Sequence, residues 1–147
     1  MIKRQPITIL LVEDDPGHAV LIEKNLRRSG ITNEIITVND GQSAVDLLLR
    51  RDSFQGGAHP DPLIILLDLN LPVLDGYQVL KTIKQDERAK RIPIIMLTTT
   101  DNPGEVAKCY ELGCNAYVTK PVEYEAFRKA IQNLGQLLSL IQVPNKA

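Results

Sequence analysis

Short apolar runs alternate with helix-forming stretches along most of the chain, and this alternation restricts the possible folds more than any other feature. Apolar runs rich in β-branched residues predict strands at 7–12, 33–38, 63–67, 92–98 and 115–119. Apolar residues at helical spacing predict helices at about 16–29, 41–51, 76–85, 103–113 and 122–141. Strands that are apolar throughout are typical of parallel sheets buried on both faces. We therefore expect an α/β fold, a doubly wound, five-stranded parallel sheet with helices on both sides.

The length and charge of the chain narrow its possible functions. The 147 residues suit one domain over 1–147, with a core of about 5–141 and a short C-terminal tail. The formal net charge is −1 and no basic run occurs, which argues against DNA as a partner. The apolar runs are far shorter than the ~20 residues that span a membrane. The polar stretch 50–62 predicts a surface loop, and Cys109 and Cys114 predict buried free thiols in a cytoplasmic protein.

Charged and hydroxyl side chains stand at the ends of four predicted strands. In a doubly wound sheet, ligands bind beyond the carboxyl ends of the strands, so these ends are the candidate site. Five side chains qualify: Glu13, Asp14, Asp68, Thr98 and Lys120. Each has an ordinary structural alternative, since acids cap helices, Thr packs at strand ends and Lys is commonly solvated. Asp15, which precedes Pro16, fits a helix cap better than a ligand.

These side chains suit phosphoryl transfer assisted by a metal ion. Three carboxylates facing one ammonium leave two negative charges uncompensated, and their oxygens favour Mg²⁺ or Mn²⁺. A carboxylate beside such an ion is a candidate nucleophile toward phosphorus, with Lys120 neutralising phosphoryl oxygens and Thr98 donating a hydrogen bond. The sequence lacks the nucleotide-binding pattern GxxxxGK[ST]. We therefore expect a phosphorylated protein side chain or a small acyl phosphate as the donor.

The stretches that contain these residues resemble the receiver domains of bacterial response regulators. They are LLVEDD at 10–15, LLDLNLPVLDG at 66–76, IPIIMLT at 92–98 and YVTKP at 117–121, and the resemblance covers about 5–141. It implies the flavodoxin-like (βα)5 receiver fold and a two-component phosphorelay with a sensor histidine kinase as donor. It also implies a self-phosphorylating and self-dephosphorylating switch rather than an enzyme acting on an external substrate.

The resemblance assigns a phosphorylation site and a metal site to single residues. Asp68 is the implied phosphoacceptor. The implied ligands of Mg²⁺ (or Mn²⁺) are the carboxylates of Glu13, Asp14 and Asp68 and the backbone carbonyl of Asn70.

The same resemblance implies a conformational switch next to the phosphoacceptor. Thr98 is the implied hydroxyl that moves toward the phosphoryl group, and Lys120 is its implied cationic partner. Tyr117 is the implied switch aromatic, whose alternative role is a half-buried strand residue with a wet hydroxyl. Pro121 has an implied structural role, following Lys120 through a cis bond.

The resemblance also bears on partners. It implies that the signal leaves through the surface formed by the fourth helix, the fifth strand and the last helix. Leu137, Leu140 and Val143 extend the apolar surface of the last helix beyond one stripe and predict a homodimer seam, the alternative being a helix that only covers the sheet. The PDP sequence at 60–62 and the long last helix resemble response regulators paired with cyanobacterial phytochromes, implying a light-regulated kinase.

Two other functions use the same kind of site. A phosphatase of the haloacid-dehalogenase type also has an Asp nucleophile and Mg²⁺, but it needs a second carboxylate where this chain has Asn70. A non-catalytic adaptor of the same fold is expected to lack an acid or the lysine, and both are present. Replacing Asp68 with Asn separates the adaptor from the switch, since only the switch loses its phosphorylated form.

Overall fold

The structure is a computed structural model that describes residues 7–49 and 63–141. The predicted loop at 50–62 and tail at 143–147 lie outside the described residues. Within those residues the strands are β1 (Thr8–Val12), β2 (Ile35–Val38), β3 (Leu63–Leu67), β4 (Ile94–Thr98) and β5 (Ala116–Thr119). The helices are α1 (Pro16–Arg28), α2 (Gly41–Leu48), α3 (Gly76–Gln85), α4 (Pro103–Leu112) and α5 (Tyr124–Leu138), with a short 3₁₀ helix at Ala89–Arg91.

The strands of the described chain form one parallel sheet in the order β2-β1-β3-β4-β5. The chain moves from β1 to β2 on one side and then crosses to β3 on the other, so the winding direction reverses between β1 and β3. Val12 is paired with Leu67 there, which places the carboxyl ends of β1 and β3 side by side. This is the switch point at which such sheets bind ligands. The predicted doubly wound parallel sheet is confirmed.

The three central strands carry the core. Every residue of β1, β3 and β4 is buried, whereas the edge strands β2 and β5 are partly exposed. Because side chains alternate along a strand, Leu10 and Ile65 join a cluster with α2 and α3, while Ile9 and Ile64 join one with α1 and α5. The strand ends that carry the candidate residues are therefore held between two packed helical layers.

Two predicted strands begin later than expected by more than one residue, because hydrogen bonds outside the sheet occupy their first residues. β2 begins at Ile35 rather than 33, since the Asn33 carbonyl accepts a hydrogen bond from Arg27 Nη1 at 2.6 Å. β4 begins at Ile94 rather than 92, since the Ile92 N–H donates to the Ala89 carbonyl at 3.0 Å. That bond closes the 3₁₀ helix, which the apolar pattern did not predict.

Two predicted helices are too long by more than one residue, and one apolar residue of α1 is exposed. α5 begins at Tyr124 rather than 122, because the Glu123 carboxylate accepts hydrogen bonds from the backbone N–H groups of Glu125 and Ala126. It ends at Leu138 rather than 141. α2 ends at Leu48 rather than 51, and residue 51 lies outside the described chain. Val20, whose helical spacing groups it with the apolar face of α1, is 54% exposed.

Close backbone packing fixes the loop after β3. A Cβ atom on Gly76 would lie 2.3 Å from the Asp68 carbonyl oxygen, and one on Gly41 would lie 2.0 Å from the Leu74 carbonyl oxygen. Only glycine allows these approaches, so α3 begins directly against the end of β3. Across residues 7–49 and 63–141, no helix combines the length and the apolar character needed to cross a bilayer.

Candidate functional site

Three carboxylates meet at the switch point between β1 and β3. The backbone N–H of Glu13 donates to the Val38 carbonyl at 3.1 Å, and that of Asp68 donates to the Val12 carbonyl at 3.2 Å, so both residues continue the sheet's hydrogen-bonding pattern. Glu13 and Asp68 are buried, and Asp14 is exposed. Oxygen atoms of the three side chains lie within 4.8 Å of one another. We call Glu13, Asp14 and Asp68 the acidic cluster.

Lys120 brings a buried ammonium into the acidic cluster from the end of β5. Its backbone N–H donates to the Thr98 carbonyl at 2.7 Å, which anchors the loop after β5 to β4. Its side chain is 1% exposed and donates to Glu13 Oε1 and, at 3.2 Å, to Asp68 Oδ2. These four residues, which the sequence placed at the ends of three strands, are therefore in one group.

The charges of this group fit a divalent cation. Burial raises the pKa of the Glu13 carboxyl group, and repulsion from Asp68 adds to the rise, although Lys120 opposes both. One ammonium leaves two of three negative charges uncompensated, and carboxylate oxygens are the ligands that Mg²⁺ and Mn²⁺ prefer. Asn70 is exposed two residues beyond Asp68, and its backbone N–H donates to Asp68 Oδ1 at 3.2 Å. The residues present thus fit a hard metal ion.

Asp15 caps a helix, as its position before Pro16 predicted. Its Oδ1 atom accepts hydrogen bonds from the N–H groups of Gly17 at 2.8 Å and His18 at 3.1 Å. These bonds, that from His18 first, lower the pKa of the carboxyl group. The Asp15 side chain therefore serves the start of α1.

The opposite side of the site carries hydroxyl groups. Thr98, the last residue of β4, is fully buried, and its Oγ1 atom has no hydrogen-bond partner in the part of the chain that the structure describes. Such a buried, unpaired hydroxyl is unusual and costs stability. The Tyr117 hydroxyl, by contrast, donates a hydrogen bond to the Thr100 carbonyl at 2.6 Å. Burial raises the pKa of Tyr117 to about 12. Thr98 therefore has a hydrogen bond still to make.

Three further features lie near the site, and two of them, a contact of His18 and a cleft, were not predicted from the sequence. His18 places its Nδ1 atom 3.4 Å from Lys120 Nζ. Its position one turn into α1, near the acidic residues after β1, was the available signal. A cleft of about 730 Å³, lined partly by Asn70, Tyr77 and Thr100, opens between the loops after β3 and β4. Pro121 follows Lys120 and is half-buried.

The cysteines take no part in this site. Cys109 and Cys114 are both buried and free, as predicted. Burial raises the pKa of the Cys109 thiol to about 11, so it is an inert packing residue at neutral pH.

Comparison with known families agrees with this geometry. Residues 9–132 match the model of the response regulator receiver domain. The chain belongs to this family. The predicted resemblance and the flavodoxin-like receiver fold are thereby confirmed, and the protein is a receiver domain, a signalling switch of two-component systems.

This receiver domain has close relatives of similar size. Response regulator Rcp1 of Synechocystis sp. is 40% identical over 129 residues, which cover 88% of this chain and 86% of Rcp1. A receiver domain structure from Rhodospirillum rubrum has a TM-score of 0.88 and 48% identity, covering 95% of this chain and 98% of its own.

Two further solved structures share the receiver fold, with similar TM-scores. The Mn(2+)-bound form of response regulator Rcp1 has a TM-score of 0.86 and 38% identity over 95% of this chain and 99% of its own. The phosphorylated cyanobacterial phytochrome response regulator RcpA has a TM-score of 0.86 and 35% identity, with coverage of 95% and 99%.

Proposed function

We propose that this receiver domain accepts a phosphoryl group on the carboxylate of Asp68. The observation that carries the proposal is the position of that carboxylate: it lies at the switch point, within 4.8 Å of the other oxygens of the acidic cluster, and paired with a buried ammonium. Glu13, Asp14, Asp68 and the Asn70 backbone carbonyl would hold Mg²⁺ or Mn²⁺. The existence of a Mn(2+)-bound form of the relative Rcp1 supports such a cofactor.

The residues present suit both formation and loss of the phosphorylated form. An Asp68 oxygen forms a bond to phosphorus while the donor's bond to phosphorus breaks and its electron pair stays with the donor. The divalent cation, when bound, neutralises charge on the phosphoryl oxygens. Lys120 pairs with one of these oxygens, and the Thr98 hydroxyl donates a hydrogen bond to another. Attack by water later returns the carboxylate and releases phosphate, so the protein switches itself rather than turning over an external substrate.

We infer that the donor is a phosphohistidine of a sensor histidine kinase. The donor's P–N bond then breaks, and the electron pair stays on the histidine nitrogen. RcpA, a cyanobacterial phytochrome response regulator, supports a phytochrome kinase as the donor for this chain as well. The buried free thiols Cys109 and Cys114 support a reducing compartment, so we expect a cytoplasmic protein. The formal net charge of −1 supports a protein partner rather than DNA.

We infer that the output is a change in the surface formed by α4, β5 and α5. The phosphoryl group carries a charge of about −1.5 to −2, which replaces the single charge of the Asp68 carboxylate. It would lie near the Thr98 hydroxyl, which has no hydrogen-bond partner among the described residues. A Thr98 that turns toward it moves the end of β4, and Tyr117 then exchanges its outward bond to Thr100 for an inward position. A ligand can shift such an equilibrium only through its different affinity for the two states, and the new hydrogen bond supplies that difference.

We further propose that two copies associate through α5. Leu137 is 55% exposed and Leu140, just beyond α5, is 78% exposed. Both side chains lie outside the stripe that packs on the sheet, and an apolar patch on a helix end is suited to a second copy of the same helix. Light scattering tests this: a double variant Leu137→Ser and Leu140→Ser should be monomeric at concentrations where wild type is dimeric. A Gln136→Ser control should match wild type, and a dimer that survives the double change would refute the seam.

Intact mass after incubation with acetyl phosphate tests the main proposal. Wild type should gain one phosphoryl group with Mg²⁺ and none with a chelator. Asp68→Asn should gain none under either condition. Asp101→Asn, the same change at an exposed position outside the acidic cluster, is the matched control and should behave as wild type.

The contrary outcomes point to different functions. A gain in Asp68→Asn equal to that of wild type would move the phosphoacceptor elsewhere. No gain in folded wild type from either acetyl phosphate or a phosphorylated kinase would favour an adaptor, whose partner binding would be the same in wild type and Asp68→Asn.

A further inference from the structure

His18 lies against Lys120 and has no part in the function proposed above. Its Nδ1 atom is 3.4 Å from Lys120 Nζ, and the residue is half-buried in the first turn of α1. Its imidazole ring packs on Phe127 of α5, with ring centroids 5.7 Å apart and planes tilted by 36°. The ring thus lies where α1, α5 and the loop after β5 meet.

The Lys120 ammonium group can donate a third hydrogen bond. An ammonium group offers three N–H donors. Two of them meet carboxylates, Glu13 Oε1 and Asp68 Oδ2. The third meets His18 Nδ1, and the described residues provide no other partner for Lys120 Nζ. Because a buried donor without a partner costs free energy, the histidine completes the bonding of an ammonium that is almost wholly shielded from water.

The position of the ring is itself fixed from two directions. The backbone N–H of His18 is bound by the Asp15 cap, which sets the first turn of α1. Phe127, only 5% exposed, is part of the core that α1 and α5 share. A ring held this way can hold its neighbour in turn, whereas a freely rotating side chain could not.

We infer that His18 is a positioning residue, which accepts the third hydrogen bond of Lys120 through Nδ1 and keeps the ammonium between Glu13 and Asp68. For Nδ1 to accept, the imidazole is neutral with its proton on Nε2. The consequence for the reaction rests on the proposed phosphorylation of Asp68. As the phosphoryl group arrives, the Lys120–Asp68 bond is exchanged for a bond to a phosphoryl oxygen. His18 keeps the ammonium in place during this exchange instead of letting it turn wholly onto Glu13.

A pair of variants separates this role from simple packing. His18→Gln keeps an acceptor and removes the aromatic contact, whereas His18→Phe keeps the aromatic contact with Phe127 and removes the acceptor. If His18 positions Lys120, His18→Phe should take up the phosphoryl group from acetyl phosphate about three- to tenfold more slowly than wild type, and His18→Gln should stay within about twofold. Lys24→Gln, on the exposed face of α1, is the control and should match wild type.

The reverse order of rates, or equal rates in both His18 variants, would overturn the inference and leave a packing role. Nitrogen NMR of the metal-free, unphosphorylated protein is the second readout. The chain has two histidines, so His18→Gln assigns the His18 signal. Wild type should show one His18 tautomer, protonated on Nε2, and Lys120→Met should show a mixture. A tautomer protonated on Nδ1 would contradict the inference. Because this readout needs no phosphoryl transfer, it stands or fails separately from the proposed function.

Discussion

The two sides of the site differ in how completely their polar groups are paired. On the charged side, which comprises the acidic cluster and Lys120, the buried ammonium contacts both buried carboxylates. On the hydroxyl side, which comprises Thr98, Thr100 and Tyr117, the buried Thr98 hydroxyl has no partner within residues 7–49 and 63–141, and the Tyr117 hydroxyl is bonded to the Thr100 carbonyl. Both sides lie at the end of the same packed sheet, so the difference in hydrogen bonding comes from the side chains and not from the backbone.

This difference indicates a division of labour. The charged side has its reacting groups in place before any phosphoryl group arrives, which is what phosphoryl transfer mainly requires. The hydroxyl side keeps one hydrogen bond unmade, so a new acceptor on Asp68 would favour a different arrangement of Thr98. The predictions below test this contrast from the largest expected effect to the smallest.

Removing the ammonium should damage the charged side most. Lys120→Met leaves Glu13 and Asp68 close together and without a cation, which should lower the free energy of unfolding by about 3 kcal/mol in the presence of a chelator. Urea unfolding measures this, and added Mg²⁺ should restore part of the loss. Lys129→Met, at an exposed position of α5, should change stability by less than about 0.5 kcal/mol. A Lys120→Met protein as stable as wild type would show that the cluster needs no cation.

The raised pKa of Glu13 makes the charged side sensitive to pH. In the folded protein the pKa of this carboxyl group is raised above its ordinary value of 4.5. The protonated form therefore contributes stability that is complete below pH 4.5 and is lost as pH rises through the raised pKa. Glu13→Gln removes that loss. The variant's free energy of unfolding, relative to wild type, should therefore increase with pH above 4.5, by at most about 1.4 kcal/mol per pH unit. Urea unfolding of both proteins over a pH series with a chelator measures it, and a flat difference would contradict the raised pKa.

Removing the unpaired hydroxyl should stabilise the resting protein. Thr98→Val replaces a buried hydroxyl, which has no partner in the described part of the chain, with a methyl group of similar size. This change should raise the free energy of unfolding by about 1 kcal/mol. Thermal and urea unfolding without phosphodonor give the comparison. Thr37→Val, at an exposed position of β2, is the matched control and should have little effect. A destabilised Thr98→Val would mean that the hydroxyl is already satisfied.

The outward bond of Tyr117 should have the smallest effect. Tyr117→Phe loses the bond to Thr100, which water can partly replace at this half-buried position, so the expected loss is about 0.5 kcal/mol. The stability that Tyr117 contributes is present below its ordinary pKa of 10.0 and is lost as pH rises through its folded pKa of about 12. Ultraviolet absorbance measures this: the Tyr117→Phe titration should lack one tyrosine transition near 12 that wild type shows.

The sequence predicted the charged side well because strand ends can be located from apolar runs. Once the strands were placed, parallel topology required Glu13, Asp68 and Lys120 to share one edge, and the structure brings them together. Nothing in a strand pattern reports whether a hydroxyl has a partner, so the unpaired state of Thr98 could not be predicted. It depends on distances between side chains from different strands.

Two further differences from the prediction, the start of β2 and the contact of His18, come from contacts between elements. The late start of β2 results from bonds that Asn33 makes to Arg27 and Ile7, which are distant in the chain or on other elements. The contact of His18 with Lys120 joins residues 102 positions apart, and one lone histidine in a helix gives no periodic signal. Apolar spacing predicts which elements form, whereas bonds between elements, local turns and helix caps set their boundaries.

Hydrogen exchange read by mass spectrometry, before and after phosphorylation with acetyl phosphate and Mg²⁺, tests the division of labour most directly. The same experiment reports the phosphoryl gain and the exchange of residues 99–124, which span α4 and β5. In wild type, both the mass and the exchange of this segment should change. In Thr98→Val the protein should still gain the phosphoryl group, but exchange of the segment should stay as in the resting protein. If phosphorylation altered the hydrogen exchange of this segment in Thr98→Val as much as in wild type, the result would contradict the claim that the hydroxyl side responds to the phosphoryl group bound on the charged side.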